Sequence, residues 1–108
     1  MRAIVVFCTC PDETSAARIA TVLVEEHLAA CVNRISGVES TYRWQDKIRR
    51  DPEHLLLIKT AHEHFATLRE RIVTLHPYEL PEVIAVDIAD GSAAYLDWLA
   101  RETHASKC

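Results

Sequence analysis

Glycine is nearly missing from this chain: Gly37 and Gly91 are the only two in 108 residues. That excludes the Gly-rich loops that cradle phosphates in nucleotide-binding folds. A Gly-x-Ser-x-Gly nucleophile turn is absent too, and no His, Ser or Asp grouping marks a catalytic triad. Cys8 with His76 is a conceivable nucleophile and base, but no third orienting group stands out, so the chain is not expected to be an enzyme. Basic residues are in the minority, 12 Lys and Arg against 16 Asp and Glu, and the formal charge of −4 offers nucleic acid no general attraction. No apolar run nears the ~20 residues needed to span a bilayer. The opening Met1-Arg2-Ala3-Ile4-Val5-Val6-Phe7 lacks a small-residue cleavage site and reads as a strand, not a signal peptide. What is present is ordinary for one soluble domain over 1–108: 49% hydrophobic and 26% charged residues.

The four cysteines are Cys8, Cys10, Cys31 and Cys108. Cys8 and Cys10 lie two apart in a strand pattern, which puts their Cα atoms roughly 6.6–6.8 Å apart with parallel side chains. That is a poor geometry for a disulfide, and reduced thiols in the cytoplasm are the simpler expectation.

Residues 2–10 form the first strand, apolar on both faces. Pro11 stops it and Asp12 caps a helix expected to run to about Leu28, with Ala16, Ile19, Ala20, Leu23 and Leu28 as its buried stripe. Residues 31–60 are two strands joined at Gln45-Asp46-Lys47. Ser36-Gly37 suggests a bulge, and Pro52 requires an edge or a kink. The arms exceed the usual ~5–6 residues, so the hairpin should project from the body of the domain. Thr60-Ala61-His62-Glu63 is a capping box for a second helix with Phe65, Leu68, Ile72 and Leu75 inward. His76-Pro77 ends that helix. Pro77 and Pro81 stiffen the loop carrying Tyr78, Glu79 and Glu82. Val83-Ile84-Ala85-Val86 then predicts a central strand buried on both faces. Asp90-Gly91 turns the chain, Ser92 caps a short last helix with Tyr95, Leu96 and Leu99, and Thr103 to Cys108 is a frayed tail.

This order is that of an α+β, ferredoxin-like split βαβ sandwich with an antiparallel sheet. Its two main helices cover one sheet face, yet three strands are apolar on both. The uncovered face predicts an obligate homo-oligomer.

Three groups of residues could carry chemistry. Cys8 and Cys10 end strand one, where this topology allows Cys8 to approach His76 and Glu82. Thiolate, imidazole and carboxylate suit copper or zinc; equally, the cysteines are small buried hydrophobes and His76 a helix cap. His54, His62 and His64 read as solvated surface histidines, because residues two apart on a helix share no face. His27 suits a helix C-terminus. Tyr42, Trp44, Lys59, Tyr78 and Glu82, with Asn33, would line a cleft between subunits for a small anion or nucleotide, or the aromatics would fill an interface.

Several segments together resemble one family. Cys8-Thr9-Cys10-Pro11-Asp12, Ala29-Ala30-Cys31-Val32-Asn33, Tyr42-Arg43-Trp44, Ile58-Lys59-Thr60, Leu75-His76-Pro77-Tyr78-Glu79-Leu80-Pro81-Glu82 and Tyr95-Leu96-Asp97-Trp98-Leu99 look like the CutA divalent-cation tolerance proteins, over about residues 3–102. The resemblance implies a cytoplasmic homotrimer that binds copper or other divalent cations. It places metal binding at Cys8 and His76, with Glu82 as a third candidate. Some members carry a second histidine just before His-Pro-Tyr, where this chain has Leu75. The usual turn glycine is Asp46. The family also resembles PII-type trimers, which implies an alternative: a sensor binding a small molecule between subunits, with Lys59, Tyr78 and Glu82 prominent. A structural trimer that organises a partner is the third.

Overall fold

The structure, a computed structural model, describes residues 1–104. Alternating residues define the first strand, β1 (Ala3–Cys10). Ile4, Val6, Cys8 and Cys10 point to one face and are essentially solvent-free. Asp12 then caps α1 (Glu13–Glu25), its carboxylate accepting the Ser15 backbone N–H at 2.7 Å. The helix ends before Leu28. His27 turns left-handed at φ 59°, and the Leu28 and Ala29 N–H groups close back on the Leu23 carbonyl. Leu28 is buried by this connection and not by a helical stripe.

Strands β2 (Cys31–Trp44) and β3 (Lys47–Ala61) form the long hairpin. Gln45 and Asp46 both take positive φ, 50° and 65°, as a two-residue hairpin turn demands. The register slips by one residue between Ile35 and Val38, where Gly37 sits at φ 81°. β1 stops opposite His54, so the hairpin runs on with one edge of β3 free. Pro52 lies on that free length, where its missing N–H breaks no ladder.

The expected capping box at Thr60 does not form. Thr60 belongs to β3, pairs with Ile4, and donates its hydroxyl to the Leu28 carbonyl at 2.7 Å. A short 3₁₀ turn, His62–His64, leads instead into α2 (Phe65–Leu75). Its Leu68 and Ile72 meet Ile19 and Leu23 of α1 in the core over Leu56 and Ile58. After the proline loop comes β4 (Ile84–Asp87), then α3 (Ala93–Glu102).

The sheet order is β2-β3-β1-β4, all antiparallel. β4 is therefore an edge strand, shorter than expected and exposed throughout, with Ile84 54% and Val86 49% accessible. This corrects the reading of a buried central strand: nothing in one chain lies over it. α3 packs on the second sheet face at the Lys59 end, where the Lys59 ammonium sits 5.9 Å from the Tyr95 ring centre. The rest of that face, Val5, Phe7, Leu57, Ile84 and Val86, stays partly open. The tail begins packed: Thr103 is buried, and the His104 N–H bonds the His27 carbonyl. The remainder of the expected frayed tail lies outside the described residues. Among these residues no helix is long and apolar enough to cross a membrane.

Candidate metal centre

Period-two alternation sends Cys8 and Cys10 to the helix-covered face, where both are fully buried. His76 arrives from the other side of the core. Pro77 forces it out of helical geometry to φ −75°, ψ 138°, so it closes α2 with its N–H on the Ile72 carbonyl. Its ring turns inward and is 7% exposed. One donor atom each from Cys8, Cys10 and His76 fall within 4.8 Å of one another. Glu82 is not part of this three-residue cluster; Cys10 takes the third place.

The imidazole is held at both nitrogens. Nε2–H donates to the Thr9 carbonyl at 2.7 Å, and Nδ1 accepts the Tyr78 backbone N–H at 3.0 Å. This pair writes a neutral ring protonated on Nε2. The Tyr78 ring tilts against it at 4.9 Å between centroids. The two thiols move each other in opposite directions. The neighbouring Cys8 thiol, with the His76 ring alongside, draws the Cys10 thiol down to about 6 against the opposing effect of burial. Cys8 is pushed well above the thiol range by its Cys10 neighbour and by burial. Burial depresses the His76 pKa, but Cys10 and the Thr9 carbonyl outweigh it and the net direction is upward.

A cleft of about 710 Å³ opens beside the cluster, between the hairpin and the proline loop, with Thr9, Tyr42, Trp44, Tyr78 and Glu82 among its walls. Glu53 forms its inner wall, buried at 6% exposure and bonded by the Tyr78 hydroxyl at 2.8 Å. Partial burial and the Glu53 charge raise the Glu82 carboxyl. Lys59 and Asn33 are not among the walls of this cleft: Lys59 shares the sheet face of Thr9 and Glu53 but stands further along β3, paired with Cys31, and Asn33 pairs with Leu57. Tyr42 donates its hydroxyl to Asp51.

The histidines differ from expectation. His62 is exposed, but His64 is buried and His54 half-buried. His64 Nε2 and His54 Nδ1 are both shut from solvent without a hydrogen-bond partner. The 3₁₀ turn that precedes α2 is tighter than an α-helix, and His64 at its end is buried. His54 stands opposite Cys10 on β3. Glu53 and His54 carried no local signal; the unbroken β1–β3 register brings His54 opposite Cys10 and sets Glu53 just beyond the end of β1.

The donor chemistry fits a soft metal ion. Two thiols, one of them acidic, lie beside an imidazole in a water-poor setting. A tetrahedral ion bound to sulfur at about 2.3 Å places its ligands about 3.8 Å apart, a small contraction of the observed cluster.

A family model described as CutA1 divalent ion tolerance protein matches residues 4–102. The chain belongs to the CutA1 family. It is 52% identical over 99 residues to the divalent-cation tolerance protein CutA of Thermus thermophilus, covering 92% of this chain and 96% of that relative. A solved structure of the divalent cation tolerance protein from Thermus thermophilus superposes with a TM-score of 0.93 at 50% identity, covering 94% of this chain and 99% of that one. A chloroplastic CutA of Arabidopsis thaliana is 44% identical over 100 residues, where the chain spans 93% of itself and 55% of the relative. The span matched to CutA1 takes in Cys8, Cys10, His54 and His76.

Proposed function

We propose that this chain is a cytoplasmic, non-enzymatic homotrimer that binds copper or another divalent metal ion as part of cation tolerance. The convergence of the Cys8 and Cys10 thiols with the His76 imidazole within 4.8 Å, all buried, carries this reading. Thiolates favour copper and zinc over calcium or magnesium, whose preferred ligands are oxygens. When bound, the ion would be held by the two sulfurs. His76 would add its imidazole by giving up the Tyr78 N–H, since neither nitrogen has a lone pair to spare otherwise.

Free Cys8 and Cys10 are in keeping with a reducing compartment. The open second sheet face supports the trimer: Val5, Phe7, Leu57, Ile84 and Val86 form an apolar surface that one chain leaves wet, and other copies would cover it.

Anaerobic titration of the reduced protein with copper(I) or zinc tests the metal reading. Binding of one ion per chain with thiolate-to-metal absorption is expected, and Cys8→Ser or Cys10→Ser should abolish that absorption. Equal binding by the variants would remove the thiols from the site.

The cleft supports a second reading, a small-molecule sensor. Its walls carry Glu53, Glu79 and Glu82 against Arg49, beside the aromatic faces of Tyr42, Trp44 and Tyr78. That balance favours a cationic or zwitterionic ligand over a nucleotide. A thermal-shift screen of amines, amino acids and nucleotides would detect stabilisation by such a ligand. No shift from any class would count against this reading.

A further inference from the structure

The cluster of Cys8, Cys10 and His76 has a shortage of free nitrogen. A metal needs an imidazole lone pair, and His76 has none uncommitted: its Nε2 carries the proton given to Thr9, and its Nδ1 lone pair receives the Tyr78 N–H. Engaging His76 costs a hydrogen bond to a backbone group that then lies next to buried residues.

A second imidazole has the opposite property. His54 is the cross-strand partner of Cys10, Cα opposite Cα in the β1–β3 ladder. Directly paired residues of an antiparallel ladder project from the same face, with Cβ atoms about 4.5–5.5 Å apart. His54 therefore rises beside Cys10 on the face that buries both thiols. Its Nδ1 is closed to solvent and has no hydrogen-bond partner, although the residue as a whole is half-buried. Orphaned buried nitrogens are uncommon because they lose their hydration and gain nothing in return. His54 stands outside the trio whose donor atoms lie within 4.8 Å of one another, so its ring must swing toward the sulfurs to complete the shell of an incoming soft ion. The other orphan, Nε2 of His64, lies where β3 ends and has the Glu63 carboxylate 3.9 Å away.

The geometry points to His54 as a ligand of the metal centre, binding through Nδ1 next to the Cys8 and Cys10 sulfurs, with the proton on Nε2. This rests on the metal-binding reading above and adds a residue to it. Coordination would give the orphaned Nδ1 a partner, and His76 would be free to keep Thr9 and Tyr78. The ligand class is a four-coordinate soft or borderline cation: copper(I), zinc, or cobalt(II) as a spectroscopic stand-in.

The test uses the reduced 108-residue protein and cobalt(II). Wild type should show the thiolate charge-transfer band together with intense tetrahedral d–d absorption. His54→Ala should bind at least tenfold more weakly and change the d–d envelope. His62→Ala, at an exposed histidine, controls for surface binding. The metal-free His54→Ala protein should keep the wild-type circular dichroism spectrum at the titration temperature, so that weaker binding reports the lost ligand and not lost folding. Protein labelled with ¹⁵N-histidine provides a second readout without substitution: zinc should move the His54 Nδ1 resonance. An unchanged His54 resonance, or His54→Ala binding cobalt as wild type does, overturns the assignment of His54 while the thiol centre stands. Absence of any thiolate charge transfer in wild type overturns both.

Discussion

Substituting Val86 at the centre of β4 probes the proposed trimer through the sheet face that one chain leaves open. Val86 pairs with Val5 on that face and keeps 49% of its surface accessible in a single chain. Val86→Ala deletes two methyl groups, worth about 1.6 kcal/mol if moved from full exposure to full burial. Half of that burial is already achieved within the chain, so association should lose about 0.8 kcal/mol per copy. Repeated in three copies this is about 2.4 kcal/mol, or about a 60-fold weaker trimer. Val86→Asp goes further, because each copy would bring a carboxylate into the contact and pay several kcal/mol of desolvation. Sedimentation velocity over a dilution series reads the outcome directly. Wild type should remain a trimer at micromolar concentration, Val86→Ala should begin to dissociate at higher concentration than wild type, and Val86→Asp should be monomeric or unfolded. A folded wild-type monomer, or a Val86→Asp protein with wild-type mass at every concentration, would refute the reasoning.

Two further predictions concern the interior. Thr60→Val keeps the side-chain shape but removes the buried hydroxyl that bonds the Leu28 carbonyl at 2.7 Å, so guanidinium unfolding should show a loss of about 1–3 kcal/mol; unchanged stability would mean that the carbonyl finds another partner. The thiol pair makes stability depend on pH in two directions. Cys10, drawn down from 9.0 to about 6, contributes stability that is present above the unfolded thiol value and is lost as pH falls through about 6. Cys8, pushed up, contributes stability that is present below the unfolded value and is lost at more alkaline pH. Wild type should therefore gain stability relative to Cys10→Ser as pH rises from 6 toward 9, in parallel with thiolate absorption near 240 nm; a flat difference across that window would contradict the opposed thiol shifts.

Much of the architecture is written in local pattern. Alternation over residues 3–10, the Asp12 cap, the Ser36-Gly37 bulge and the long hairpin all follow from neighbours within a few residues. So does the exit of the chain from α2 at His76-Pro77. Local pattern fails where a distant partner decides the outcome. Val83 to Val86 read as a buried strand because apolar composition reports that cover is needed and not which molecule supplies it. Thr60 matched a capping box, but the Leu28 carbonyl, far away in sequence, took its hydroxyl. His27 ended α1 early by adopting a left-handed turn. The site divides the same way. Cys8 and His76 were legible as soft ligands from strand period, loop position and family resemblance, with Glu82 expected as the third, whereas the donor atom that converges with them belongs to Cys10. Glu53 and His54 were not legible, since only the β1–β3 register brings them to the cluster and its cleft. Lys59 was drawn toward the cleft by type alone; it shares a sheet face with Glu53, but its place further along β3 sets it beside Tyr95 instead.

The central claim is that a metal ion sits on the paired thiols of β1. X-ray absorption at the edge of the bound metal, on reduced wild-type protein loaded with one equivalent of zinc or copper(I), tests it most directly. Two sulfur scatterers at about 2.3 Å with nitrogen completing the shell is the predicted result. A shell of oxygen and nitrogen alone would place the ion elsewhere on the protein and contradict the account.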